Sequence, residues 1–117
     1  IRIPSSGPKA RRIEHRVAGG DVNPYLTIAA ILGAALNGIE DQLVAPAPFK
    51  GNAYDQKLAQ LPGDWGAAIE AFDSCPEIRR ILPAHLVDNY LMTKRQELHY
   101  MAELSDEETV ELYLDTV

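Results

Sequence analysis

The chain has 117 residues, of which 46 % are hydrophobic and 24 % charged, the balance of an ordinary water-soluble domain or a part of one. Its net charge of −6 is unevenly spread: residues 1–20 hold Arg2, Lys9, Arg11, Arg12 and Arg16 against Glu14 alone, while the other 97 residues carry six basic and sixteen acidic side chains. An acidic body excludes an extended nucleic-acid or anionic-membrane surface, which needs clustered positive charge, and leaves a small basic island suited to one compact anion such as a nucleotide phosphate.

The chain opens on Ile1-Arg2-Ile3-Pro4, without an initiator Met and alternating like a strand already under way. A piece of a longer protein is therefore expected. Residues 11–17 alternate in the same way, and the turn-rich run from Ser5 to Ala10 lies between. The two stretches read as a β-hairpin with a wide loop over residues 1–17. Strand side chains alternate between faces, about 7 Å apart on one face. Arg12, Glu14 and Arg16 then share one face, and Arg11, Ile13, His15 and Val17 the other.

Ala18 to Val22 breaks the strand, and Asn23-Pro24 opens a helix, with Asn as N-cap and Pro in the first helical position. This helix is expected over Pro24 to Asn37 or slightly beyond. It is apolar nearly all round, which predicts burial on every side. The apolar run ending at Ile39 is short for a membrane span and is interrupted by Gly33, Asn37 and Gly38.

Pro46, Pro48 and Gly51 mark a loop over about residues 44–63. Asp64 then caps a helix through Phe72, and Ser74 is expected to cap a short helix from Pro76. Pro83 opens a longer helix to about Glu103 with a stripe of Val87, Tyr90, Leu91, Leu98 and Met101. Ser105 and Glu108 form a capping box for a last helix carrying Val110, Tyr113, Leu114 and Val117. The fold class expected is α+β, a short N-terminal hairpin (1–17) followed by a mainly helical portion (23–117). A single cysteine, Cys75, allows no intrachain disulfide and fits a reducing cytoplasm.

The Arg12-Glu14-Arg16 row has two readings. Glu offers a hard oxygen ligand to Mg²⁺ or Mn²⁺, and Arg forks clamp phosphate or carboxylate, so the row suits a site where a metal ion and several anions meet. The same alternation is common on solvated sheet faces, where exposed pairs contribute little. His15 falls on the face away from Glu14 and reads as a packing residue. His85 and His99 lie too far apart along one helix to share a metal, and Trp65 reads as a packing anchor.

Ile1-Arg2-Ile3-Pro4, then Pro8-Lys9-Ala10-Arg11-Arg12-Ile13-Glu14-His15-Arg16, then Asn23-Pro24-Tyr25-Leu26 resembles the end of the catalytic domain of glutamine synthetases. The order and spacing are the same, and the likeness continues through Ala29-Ala30, Gly38-Ile39 and Gly51-Asn52-Ala53-Tyr54, thinning after residue 60. Glu14-His15-Arg16-Val17-Ala18-Gly19-Gly20-Asp21 is most similar to the branch of γ-glutamylpolyamine synthetases. The resemblance implies an ATP-dependent ligase that joins the γ-carboxylate of glutamate to ammonia or a polyamine through a γ-glutamyl phosphate, with Mg²⁺ or Mn²⁺.

Residue by residue, it implies that Arg2 and Lys9 contact the nucleotide and its phosphates, with Arg12 beside them. Glu14 is then a metal ligand. Arg16 is the catalytic and substrate-binding residue that holds glutamate and neutralises the γ-glutamyl phosphate. Glu14 and its two arginine neighbours are expected to project together into an enclosed pocket. Tyr54 matches a position that some bacterial members modify with AMP, although an ordinary loop tyrosine is the reading preferred. A cytoplasmic, ring-forming homo-oligomer is implied for the full-length parent, with inactivity for residues 1–117 alone. The alternative is a non-catalytic helical module that keeps the family scaffold.

Overall fold

The computed structural model describes residues 1–49, 51, 52, 55 and 57–114. Among the described residues, five α-helices follow an extended N-terminal arm: α1 (Pro24–Glu40), α2 (Trp65–Asp73), α3 (Pro76–Ile81), α4 (Ala84–Met101) and α5 (Asp106–Leu114). The helix starts are chemical. Asn23 accepts hydrogen bonds from the backbone N–H groups of Tyr25 and Leu26, and Asp64 accepts one from Ala67. Ser105 and Glu108 satisfy each other's backbone N–H groups in the reciprocal box that their spacing predicts.

The expected N-terminal hairpin does not form. Among the described residues there is no β-strand and no sheet. Residues 2 and 14 make one isolated antiparallel bridge, with Arg2 N–H to Glu14 C=O at 3.0 Å and Glu14 N–H to Arg2 C=O at 2.8 Å. Between them Pro8–Ala10 winds one 3-10 turn, closed by the Ser6 hydroxyl donating to the Ala10 carbonyl. A two-stranded ribbon is marginal without a third strand or an apolar cover, and here Ile1, Ile3, Ile13 and Val17 all remain exposed. The α+β expectation is thus replaced by an all-helical body with an irregular arm.

The core sits between α2 and α4. Ile69, Val87 and Leu91 are buried, and Trp65, Phe72, Ile78, Leu82 and Leu98 pack around them. Phe72 and Tyr90 stack at a tilt with ring centroids 5.5 Å apart, and the Lys94 ammonium lies 5.7 Å from the Trp65 ring centroid. An ion network ties the same helices: Asp73 accepts from both Arg79 and Arg95, Arg79 reaches Asp88, and Arg95 reaches Glu70. Ser74 is not the cap of α3, as its position suggested. It ends α2, with its hydroxyl donating back to the Glu70 carbonyl, and Cys75 occupies the cap position of α3.

α1 joins this body through α3. Gly33 lies flat against Ile81, and a Cβ built there would come 2.7 Å from Ile81 Cγ1. Arg80 grips the Asp41 carboxylate with both terminal nitrogens. The expected burial of α1 on all sides is corrected: the helix has no fully buried residue, and Tyr25, Ile28, Leu32, Leu36 and Ile39 are exposed along one face. The Cα radius of gyration is 17.3 Å, against about 13 Å for a compact globule of this length. The helices do not close one common core around α1.

α5 is moored by polar contact. The Tyr113 hydroxyl donates to Glu97 at 2.7 Å, and Lys94 pairs with the same carboxylate. Partial burial pushes the Glu97 carboxyl up, but the hydrogen bonds from Lys94 and Tyr113 outweigh it and leave the group below its ordinary value. The hydrogen bond to Glu97, with partial burial, pushes the Tyr113 phenol up to about 12. No helix among the described residues is long and apolar enough to cross a membrane.

Two outcomes are expected. Gly33→Ala forces α1 off Ile81 and lowers stability by about 1–3 kcal/mol, read by urea unfolding followed by circular dichroism. A phenol whose folded pKa is raised stabilises the fold fully below its unfolded value near 10, and the contribution is lost as pH rises through about 12. Stability therefore falls between those pH values in the parent, and Tyr113→Phe flattens that slope.

Candidate functional site: an arginine cluster around one carboxylate

The arm brings together residues that the sequence spaces apart. Glu14 lies at the centre. Its Oε2 accepts from Arg2 Nη1 at 3.0 Å and from Arg16 Nη2 and Nε at 2.6 and 3.2 Å, and its Oε1 accepts from Arg12 Nη2 at 3.0 Å. The extended backbone at residues 12–16 sends alternate side chains to one side, and the backbone bridge to residue 2 delivers the third guanidinium across the loop. The Glu14 side chain is 19 % exposed and the three arginines 57–66 %: the guanidinium groups shield the carboxylate while keeping their own outer edges in water. Hydrogen bonds from Arg16 and then Arg2 hold the Glu14 carboxyl below its usual range.

Lys9 stands in the 3-10 turn, exposed, and makes none of the ion pairs found among the described residues. Arg11 is likewise exposed and outside the cluster. Among the described residues Arg2, Arg12, Glu14 and Arg16 form an open surface patch and not an enclosed pocket. An apolar cavity of about 190 Å³ lies elsewhere, lined by Leu26, Phe72, Leu82 and Tyr90 among others. The hairpin reading set Arg2 on the stretch beside Glu14, and the ion pair between their side chains is the contact it did not foresee. Tyr54 lies outside the described residues.

The donor set fits a phosphate chain. Three guanidinium groups against one carboxylate leave a local charge of +2, with forked donors suited to phosphoryl oxygens. It supplies only a corner of a metal site. Glu14 Oε2 already accepts three hydrogen bonds and Oε1 one, so only Oε1 keeps acceptor capacity to spare. No group of three His, Cys, Asp or Glu that could hold a metal ion occurs among the described residues. The Cys75 thiol contacts Glu77 and His99 faces Glu103, both far along the chain from the arm.

The arm thus carries an exposed cluster of arginines organised by one carboxylate, ahead of the helical body. The model of the glutamine synthetase catalytic domain matches residues 1–113, and the chain belongs to that family. It is 36 % identical over 98 residues to the γ-glutamylethanolamide synthetase of Streptomyces coelicolor, covering 84 % of this chain and 21 % of that protein. It is 32 % identical over 114 residues to the γ-glutamylputrescine synthetase of Escherichia coli, covering 97 % and 24 %. The glutamine synthetase of Methanocaldococcus jannaschii is 31 % identical over 105 residues, covering 83 % and 23 %. The chain thus spans about a quarter of the length of these relatives. No solved structure matches it.

The lowered Glu14 pKa gives a sign. A carboxyl depressed in the folded state contributes stability above its unfolded value, near 4.5, and loses it as pH falls through the lower folded value. Carboxyl ¹³C titration is expected to find Glu14 midway below 4.5 in the parent. Arg16→Ala, which removes the largest cause, shifts that midpoint upward.

Proposed function

We propose that residues 1–117 form the phosphate- and glutamate-binding end of an ATP-dependent ligase that joins the γ-carboxylate of glutamate to ammonia or an amine. The observation that carries this reading is the convergence of Arg2, Arg12 and Arg16 on Glu14 in a chain of the glutamine synthetase family. A carboxylate is a poor acylating agent, and when ATP is bound its terminal phosphoryl group, with Mg²⁺ or Mn²⁺, supplies the leaving group that turns it into an acyl phosphate. Bringing two anions together for that chemistry requires positive charge fixed in advance.

In this reading Arg2, Lys9 and Arg12 hold phosphate oxygens of the nucleotide. Arg16, the most solvent-exposed of the three clustered arginines, orients glutamate and balances the charge that builds on its γ-carboxyl oxygens. Glu14 contributes one oxygen ligand to the divalent cation, and the other ligands come from outside these residues. The Glu14-His15-Arg16-Val17 run favours the branch that uses amines larger than ammonia. The exposed face of α1 supports packing against further protein mass, consistent with a ring-forming cytoplasmic homo-oligomer in the parent.

Amide formation from glutamate, ATP and an amine tests the reading. Residues 1–117 alone are expected to show no turnover, because one carboxylate cannot hold the cations. In a full-length protein carrying this stretch, Arg16→Ala or Glu14→Gln is expected to lower kcat/KM by about 10²-fold or more, the scale for losing one charge-stabilising group. Unchanged activity in Arg2→Ala, Arg12→Ala and Glu14→Gln would instead leave the chain as a non-catalytic scaffold.

A further inference from the structure

We propose that Ser6 is a positioning residue of the phosphate site: its hydroxyl clasps the neck of the loop that carries Lys9 and holds that loop in the shape that presents Lys9 to a phosphate chain. The inference rests on the phosphate-binding reading above for the class of ligand. It gives a role to a residue that stands outside the ion pairs of the arm.

The loop is held by few contacts. Pro8–Ala10 winds a single 3-10 turn, closed along the backbone by the Ala10 N–H donating to the Gly7 carbonyl at 3.0 Å. Residues 5–13 are all exposed, so no apolar packing opposes opening of so short a turn. The Ser6 hydroxyl crosses its neck. It donates to the Ala10 carbonyl at 3.0 Å and lies 3.4 Å from the Pro4 carbonyl. One side chain thereby draws together the backbone that enters the turn and the backbone that leaves it.

The Ala10 carbonyl also links the turn to the arginines. Arg12 Nη1 approaches it at 3.4 Å, while Arg12 Nη2 donates to Glu14 Oε1 at 3.0 Å. Lys9 directly precedes this shared acceptor, and its ammonium makes none of the ion pairs found among the described residues. Lysine is a point charge on a long flexible stem, so its use to a ligand depends on where the backbone sets it. A turn ordered in advance lowers the entropy cost of engaging it. Without the Ser6 hydroxyl, Lys9 keeps its charge, but the turn must be ordered when the ligand binds. Arg2 and Arg16 are held by Glu14 and not by Ser6, so the loss falls on the share of binding that Lys9 supplies.

Isothermal titration of inorganic triphosphate into the 117-residue chain tests this, with the helical circular-dichroism signal as the folding control. Ser6→Ala is expected to bind about three-fold more weakly than the parent, within the range of one neutral hydrogen bond. Ser6→Thr, which keeps the hydroxyl, and Ser5→Ala, which removes the neighbouring one, stay within about 1.5-fold of the parent. In a Lys9→Met background Ser6→Ala costs less than about 1.5-fold, whereas in an Arg16→Gln background the loss of about three-fold remains. A hydroxyl that only stiffened the arm would weaken binding equally in both backgrounds. The proposal is overturned by no binding in the parent, by an unchanged Ser6→Ala, or by Ser6→Thr or Ser5→Ala as weak as Ser6→Ala. A Ser6→Ala loss that persists without Lys9, or vanishes without Arg16, overturns it equally. The ligase reading fails by a different result, no amide formation by a full-length protein in which Ser6 and Lys9 show this coupling.

Discussion

Glu14 stands where three guanidinium groups converge, and the course of residues 1–16 hangs on that balance of charge. The arm has no sheet to belong to among the described residues. It is closed by two backbone hydrogen bonds between residues 2 and 14, and the side chains of the same two residues meet again as an ion pair. Remove the carboxylate and the three arginines repel one another with nothing apolar beneath them to keep the loop shut. Individual exposed ion pairs contribute little. What matters here is that three share one acceptor, so the site's shape and its charge have the same cause.

The helical body obeys a different economy. Its core is small: one fully enclosed valine, Val87, with Ile69 and Leu91 beside it. Around these, aromatic packing and the Asp73–Arg79–Arg95 network hold α2, α3 and α4 together. α1 is attached by one edge, through Gly33 on Ile81 and Arg80 on Asp41, and turns its most apolar face outward. The relatives that the chain matches are about four times longer than it is.

The two halves of the chain were legible to different degrees. Caps at Asn23, Asp64 and Ser105 could be read from the residues because they depend only on side chains bonding to backbone two or three positions away. The hairpin was misread, because alternation records which side a residue faces and says nothing of whether a partner strand continues the ladder. Ser74 was misread by a single position: its hydroxyl had a choice between ending α2 and starting α3, and the Glu70 carbonyl was nearer. The burial of α1 was misjudged because a uniformly apolar helix predicts neighbours without naming which chain supplies them.

Local chemistry was therefore determined by the sequence: where helices begin, which residue types can clamp a phosphate, and the spacing of three motifs that belongs to one family. The tertiary structure decided what distance decides. Only the fold could gather three guanidinium groups on one carboxylate, leave that cluster open to solvent, and turn Ile28, Leu32 and Leu36 away from the core. The reason is physical: caps and turns are settled by neighbours along the chain, whereas convergence and burial depend on contacts between segments, which no local pattern encodes.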